Sequence, residues 1–362
     1  MSDRHITRSK TKPVTHASHW PFRRIAPGRP GHLYIPGLLC ALLFLWGPVA
    51  RAEQTDSCQV VRYFQGSPDR QTSTRYGLVL MGGGTDVDSA FHWMAQQAGG
   101  GDLVVLRSAG GEGYQDYLYR QIGGFNSVST LLIDSREKAA CPAVIAQLQQ
   151  AEAVFLAGGD QAEYYRFWNK TPLEDTLHTL AQRKRIPIGG TSAGLAVLGE
   201  WVYSAELDTI TSTEALQNPF HPRITLRRDF LSLPLMNRII TDSHFAQRGR
   251  QGRLVSFLAR AAQQGAELLG IGVDEATALL VSDQNQGQVV GSGSVWLFQP
   301  RHGGAEICRP GHPLHWWQRG GALAVQKLSA GAQIDLTHPQ SLQKSPLSHT
   351  GAVNRGHLTI SP

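Results

Sequence analysis

Short, mostly apolar runs recur along residues 75–300, each followed by a glycine-rich or polar turn. They are Gly77-Leu78-Val79-Leu80-Met81, Leu103-Val104-Val105-Leu106, Val128 to Ile133, Ala153-Val154-Phe155-Leu156-Ala157 and Ile186-Pro187-Ile188. Arg238-Ile239-Ile240-Thr241 and Leu269-Gly270-Ile271-Gly272-Val273 continue the series. Between them, Val87 through Ala98, the stretch opened by Cys141-Pro142-Ala143-Val144-Ile145, and Leu254 to Ala259 read as helices. Continuous apolar strands separated by helices predict an α/β fold, a mostly parallel sheet with helices on both faces. In such sheets chemistry gathers at the carboxyl ends of the strands. Residues 53–74 read as an N-terminal segment and 75–300 as the main domain. Past residue 300, Gly303-Gly304, Gly320-Gly321 and a polar, Ser/Pro-rich ending predict a small β-rich extension over 301–362, partly loose. Trp316-Trp317 there reads as local packing.

The first 52 residues change the picture drawn from composition. The whole chain of 362 residues holds 34 Lys/Arg against 28 Asp/Glu. Eight of those bases and one of those acids precede residue 53, so the remainder carries 26 and 27. The body is near neutral, which excludes a nucleic-acid partner. Arg23, Arg24 and Arg29 precede Leu33-Tyr34-Ile35 and the apolar run Leu38 to Trp46, and Ala50-Arg51-Ala52 has the small-x-small form of a cleavage site. The run is too short, and too broken by Pro36, Gly47 and Pro48, for a membrane span. The expectation is a cleaved signal peptide over 1–52, a secreted or periplasmic product, and no stable membrane association after cleavage. Cys40 leaves with the signal, so Cys58, Cys141 and Cys308 remain. Cys58 and Cys308 bracket the main domain and could be bridged, or all three thiols could be unpaired. Cys141 opens a helix and reads as core. No residues have metal-ligand spacing, so neither a metal nor any other cofactor is expected.

The chemistry centres on Gly190-Thr191-Ser192-Ala193-Gly194, set between the Ile186-Pro187-Ile188 strand and the helical Leu195-Ala196-Val197-Leu198. Strand, sharp turn with serine between glycines, then helix is the nucleophile-elbow arrangement. A serine hydroxyl needs a base, most often histidine. His244, in Asp242-Ser243-His244-Phe245 after the Ile239-Ile240 strand, is the candidate. Glu275 after the Leu269–Val273 strand is the first choice for the acid that orients it, with Asp274, Glu206 and Asp208 as alternatives. Arg248, Arg250 and Arg253 cluster where a helix begins and oppose its dipole, which points to a pocket for carboxylates. Gly158-Gly159-Asp160-Gln161 offers the Gly159 N–H, paired with that of Ala193, as an oxyanion hole, and Gln161 as a substrate contact. Gly82-Gly83-Gly84 lacks both the dinucleotide-binding spacing and the lysine of a P-loop, so nucleotide binding is set aside.

Taken in order, these motifs resemble peptidase family S51 and its cyanophycinase branch, over residues 75 to 300. Gly82-Gly83-Gly84-Thr85-Asp86-Val87-Asp88 resembles the opening of the secreted members. The resemblance implies a fold related to class I glutamine amidotransferases, with Ser in place of Cys at the elbow. It implies Ser192 as nucleophile, His244 as base and Glu275 as acid, with Gln161, Asp242, Arg248, Arg250 and Arg253 lining the substrate pocket. Ser243 stands where the intracellular cyanophycinases carry Gln. The implied substrate is cyanophycin, a polyaspartate whose β-carboxyls carry arginine, so each side arm ends in a guanidinium and a carboxylate. The arginines would hold the carboxylates and Asp242 a guanidinium. The implied products are β-Asp-Arg dipeptides, released through an acyl-enzyme. The alternatives are another S51 activity, such as an aspartyl dipeptidase or an isopeptide-related peptidase, or a secreted binding protein that has lost its chemistry. A homodimer is compatible with either; nothing in the sequence argues for one.

Overall fold

The computed structural model describes residues 58–301, 303–337 and 349–361. The proposed signal segment 1–52, Cys40 included, lies outside them. Among the described residues seventeen strands succeed one another. The first six are β1 (Val61–Gly66), β2 (Gly77–Met81), β3 (Asp102–Arg107), β4 (Ser127–Leu132), β5 (Ala153–Leu156) and β6 (Pro187–Thr191). The next are β7 (Val202–Tyr203), β8 (Leu226–Arg227), β9 (Ile239–Asp242), β10 (Leu269–Val273), β11 (Thr277–Ser282) and β12 (Gln286–Gly291). The last are β13 (Ser294–Pro300), β14 (Leu323–Ser329), β15 (Gln333–Asp335), β16 (His349–Asn354) and β17 (His357–Ser361).

The large sheet runs β1-β4-β3-β5-β6-β2-β11-β12-β15. Its centre, β4, β3, β5, β6 and β2, is parallel, as the apolar runs predict, and antiparallel strands flank it on both sides. Alternation within the runs explains why both faces are covered. Leu78 and Leu80 of β2 share one core with Leu148, Trp168 and Leu177, from the helices Pro142–Gln150, Gln161–Trp168 and Pro172–Thr179. Val79 and Met81 point the other way, onto Phe91 and Met94 of the helix Asp88–Gln97. Two-sided burial leaves no polar face, hence the unbroken hydrophobicity.

A second sheet runs β17-β16-β14-β13-β10-β9, with only β9 and β10 parallel. The β-rich stretch expected after residue 300 is present, and its strands belong to this sheet, within the compact unit Gln54–Pro362. β14, β16 and β17 continue the ladder that begins at β9, and Trp316 is buried with Phe298, Val325 and Val353 against the helix Gln251–Gln263. Gly303-Gly304 and Gly320-Gly321 both lie between β13 and β14.

The cysteines differ from expectation. Cys58 bridges Cys141, and Cys308 is a buried free thiol. Cys141 is the residue before the helix Pro142–Gln150, so the bridge ties the chain ahead of β1 to a helix start. Its partners stand 83 residues apart, a constraint on the unfolded chain worth about 4–5 kcal/mol in the loop-entropy account. No helix among the described residues is long and apolar enough to cross a membrane.

Candidate active site

β6 ends at Thr191 and the helix Ala193–Ala196 begins two residues on, so Ser192 takes the whole turn alone. Its backbone sits at φ 54° and ψ −113°, a region L-residues rarely occupy. Two features hold it there. The Ser192 N–H donates to the Met81 carbonyl at 3.2 Å, tying the elbow to the end of β2. Gly194 lets the short helix press on β5: a Cβ added there would lie 2.0 Å from the Leu156 carbonyl oxygen. Ala193 is the first residue of that helix, so its N–H has no intrahelical acceptor and is available to a ligand.

His244 and Glu275 come from the other sheet, at the carboxyl ends of the parallel neighbours β9 and β10. His244 Nε2 lies 2.7 Å from Ser192 Oγ, and its Nδ1 lies 2.6 Å from Glu275 Oε1. An ionised carboxylate only accepts, so Nδ1 carries the proton and Nε2 is left to receive one from serine. The His244 N–H donates to the Gly82 carbonyl at 2.7 Å, and the Ala276 N–H to Gly83 at 2.9 Å, which joins the two sheets through the loop after β2. His244 is buried. Burial holds its imidazole below the ordinary histidine value, with the Arg248 and Arg250 guanidiniums acting in the same direction; the Glu275 hydrogen bond opposes them. The neutral ring, the form able to act as a base, therefore prevails at neutral pH.

The residues expected to line a pocket divide. Asp242 is buried, and its carboxylate is taken by Arg253, whose Nε and Nη2 donate to its two oxygens at 2.7 and 2.5 Å. Arg250 adds a longer contact at 3.3 Å. Arg253 is itself buried, over the Tyr203 ring and within reach of Thr209. Asp242 is thus not available to meet a substrate guanidinium, nor Arg253 to hold a carboxylate: inside the protein the two charges neutralise each other. Arg250, mostly buried, donates to the Ser243 carbonyl at 2.9 Å and reaches the buried Ser243 hydroxyl at 3.3 Å. Arg248 is exposed. Gln161, half-buried, opens the helix Gln161–Trp168, with Asp160 capping it through the Ala162 N–H. Of the glycines before it, Gly158 is the one beside Ser192: a Cβ there would stand 3.5 Å from the serine Cβ, whereas one on Gly159 would meet the Tyr164 hydroxyl at 3.4 Å. The alternative acids lie elsewhere. Asp274 accepts from the Ala246 and Ser294 N–H groups, Glu206 pairs with Arg227, and Asp208 accepts from the Thr209 N–H.

Peptidase family S51 matches the chain over residues 78–289, more than half of its 362 residues. The chain belongs to peptidase family S51. Ser192, His244 and Glu275 all fall within the matched span. The cyanophycinases of Synechococcus elongatus and Thermosynechococcus vestitus are each 33% identical over 244 residues, covering 64% of this chain and 70% of theirs. That of Trichormus variabilis is 31% identical over 177 residues, 49% of this chain and 55% of its own. Among solved structures, a peptidase from an acI-B1 actinobacterium is 18% identical and superposes with a TM-score of 0.47, over 73% of this chain and 98% of its own.

Two features of this S51 peptidase escape sequence reasoning. Gly83, at φ +96°, lies against the base: a Cβ there would come within 2.5 Å of His244 Cε1 and Nε2 and 3.1 Å of the Ser192 Cβ. The three glycines dismissed as a phosphate cradle are therefore the floor beneath the histidine, a role only the tertiary contact reveals. Gln247 accepts from the Glu275 N–H at 3.0 Å. At the opposite, amino end of the parallel strands, Asp69, Asp102 and Glu152 bring carboxylate oxygens within 4.8 Å of one another. Asp102 there accepts from the Arg70 N–H, Asn126 and Ser127, and Glu152 from the Asp102 N–H and Lys184. Those bonds account for the group as a tie between segments.

Proposed function

We propose that this S51 peptidase is a serine hydrolase of the cyanophycinase type, cleaving the polyaspartate backbone to β-Asp-Arg dipeptides. The observation that carries the reading is the unbroken relay from Ser192 Oγ through His244 to Glu275, at 2.7 and 2.6 Å. Ser192 attacks the aspartyl carbonyl while Nε2 takes its proton. The tetrahedral oxyanion is met by the Ala193 N–H with that of Gly159 or its neighbour Gly158, each donor contributing about 3 kcal/mol in the transition state. Collapse breaks the C–N bond, the imidazolium protonates the leaving amine, and an acyl-enzyme remains. Water, deprotonated by the same nitrogen, releases the acid and regenerates Ser192. Gln161, Ser243, Arg248 and Arg250 surround the substrate, the two arginines offering charge to its carboxylates.

Export is part of the proposal. The Cys58–Cys141 bridge supports an oxidising compartment, secreted or periplasmic. One observation favours a second reading: with Asp242 committed to Arg253, the expected partner for a guanidinium is gone, which suits an S51 dipeptidase or isopeptidase with no demand for arginine side arms. Both are tested together by incubating the purified protein with insoluble cyanophycin and with simple aspartyl dipeptides. Release of β-Asp-Arg from the polymer supports the first reading, and turnover of dipeptides alone supports the second. Ser192→Ala should lower either activity by roughly 10⁵-fold or more while leaving the melting temperature in place. Substantial residual turnover in that variant would sink the serine mechanism.

A further inference from the structure

The hydrogen bonds around the His244–Glu275 pair form a closed circuit that the relay itself does not require. β9 and β10 run parallel with Asp242 opposite Gly272, so the turns that follow them leave the sheet side by side. The first turn contains His244 at φ +45° and the second Ala276 at φ +51°, neither a conformation that stabilises itself. Backbone donors and side-chain acceptors cross between the turns in both directions. The Ala246 N–H of the first donates to Asp274 Oδ1 of the second at 2.9 Å. The Glu275 N–H of the second donates to Gln247 Oε1 of the first at 3.0 Å. Asp274 also anchors the pair to β13, where its Oδ2 accepts from the Ser294 N–H at 3.1 Å and lies 3.5 Å from the Trp296 indole nitrogen. Asp274 is buried and makes no ion pair among the described residues; N–H donors satisfy its oxygens instead. A buried carboxyl group that has to be met by several N–H donors is a costly device for a turn, and a hydrophobic residue would serve as filler there.

We infer that Gln247 and Asp274 are positioning residues, a reciprocal clamp that fixes the turn bearing Glu275 against the turn bearing His244 and so sets the length of the bond between them. This rests on the serine-hydrolase reading above. Besides the clamp, the two turns are joined by the sheet, by the Phe245 N–H donating to the Val273 carbonyl at 3.1 Å, by their separate bonds to Gly82 and Gly83, and by the His244–Glu275 bond itself. The clamp alone ties the Glu275 and Gln247 ends of the turns to each other. Gln247 is the better probe because it is exposed and adds nothing to the core.

The test uses a fluorophosphonate, whose reaction with Ser192 needs the relay but not the natural substrate. Labelling rates are followed across pH for the wild-type protein, Gln247→Ala, Gln247→Glu and Asp274→Asn, with thermal melts alongside. The groups facing the imidazole are Glu275, Arg248, Arg250 and Ser192. Of these only Glu275 favours the protonated ring. Loosening it makes the ring harder to protonate, so in Gln247→Ala the acid limb of the profile moves to lower pH, and the plateau rate falls about five- to tenfold. Its melting temperature stays with the wild type, and Gln247→Glu, which keeps an acceptor oxygen in place, recovers the plateau. Wild-type rate and an unmoved limb in Gln247→Ala would overturn the inference. So would a rate loss that tracks a lost melting temperature and is not rescued by Gln247→Glu. If the wild-type protein itself is not labelled, the serine reading falls, and the clamp is judged by the low-field proton resonance of His244 Nδ1–H. A shift of that resonance in Gln247→Ala supports the clamp; an unchanged resonance rejects it.

Discussion

Two ionic assemblies hang from the end of β9 only two residues apart, and they behave as opposites. At Asp242 the carboxylate is sealed inside, gripped by the fork of Arg253 and touched by Arg250. At His244 the carboxylate partner is the half-buried Glu275, and the imidazole between it and serine is kept neutral. The first is charged on both sides and has no vacancy, so it can hold shape and do little else. The second is one proton short of an ion pair, and that missing proton is what it can accept from Ser192. Proximity to a nucleophile does not make a charged residue part of the chemistry; an unfilled valence for a proton does.

Substitutions break this contrast at different depths. Glu275→Gln removes the charge that stabilises the imidazolium without removing volume. Hydrolysis should drop by about 10⁴-fold, near 5 kcal/mol in the transition state, with little change in melting temperature. Turnover assays paired with melts check this. Arg253→Met does the reverse, leaving Asp242 buried with the Ser243 N–H and the long Arg250 contact but without its close cation. It should cost about 3–5 kcal/mol of folding stability, measured by urea denaturation, while the molecules that remain folded still react at Ser192. Adding Asp242→Leu should recover most of that loss, since the uncompensated charge goes with it. The smallest effect belongs to Arg248→Ala. Arg248 helps hold the His244 pKa down, and the base works only when neutral, so activity fades as pH falls through that pKa. Without the guanidinium the pKa rises and the acid limb of the rate profile moves to higher pH. High salt should shrink the difference, because Arg248 is exposed and screened.

What was legible in the sequence was what local sterics dictate. Ser192 could be picked out because a strand, a one-residue turn and a helix leave room only for Gly190, Ala193 and Gly194 around it. The parallel centre of the large sheet was legible because burial on both faces imprints an unbroken apolar run. Glu275 and Asp274 both follow the core strand that ends at Val273, and only coordinates separate them, by the 2.6 Å between Glu275 Oε1 and His244 Nδ1. Arg253 was misread for a physical reason: spacing shows that charges converge, not whether they neutralise one another, and Asp242 stands eleven positions before Arg253. Gly83 was missed because its neighbours are His244 and Ser192, distant in the chain. The Cys58–Cys141 bridge was missed because a helix-opening cysteine looks like core until a partner arrives.

The ladder from β13 through β14 and β16 to β17 gives the far end of the chain an unexpected duty. These strands occupy the side of β13 that would otherwise offer bare N–H and C=O groups to any passing chain. They also roof over Trp316, Phe298 and Val353, beside the helix that starts from Arg250. A shortened protein ending at Pro300 would thus carry a sticky margin one strand away from β10, on the same layer that suspends the imidazole. Residues beyond the family's matched span act as a selvedge, keeping the half of the molecule that supplies the base from unravelling or fusing with its neighbours.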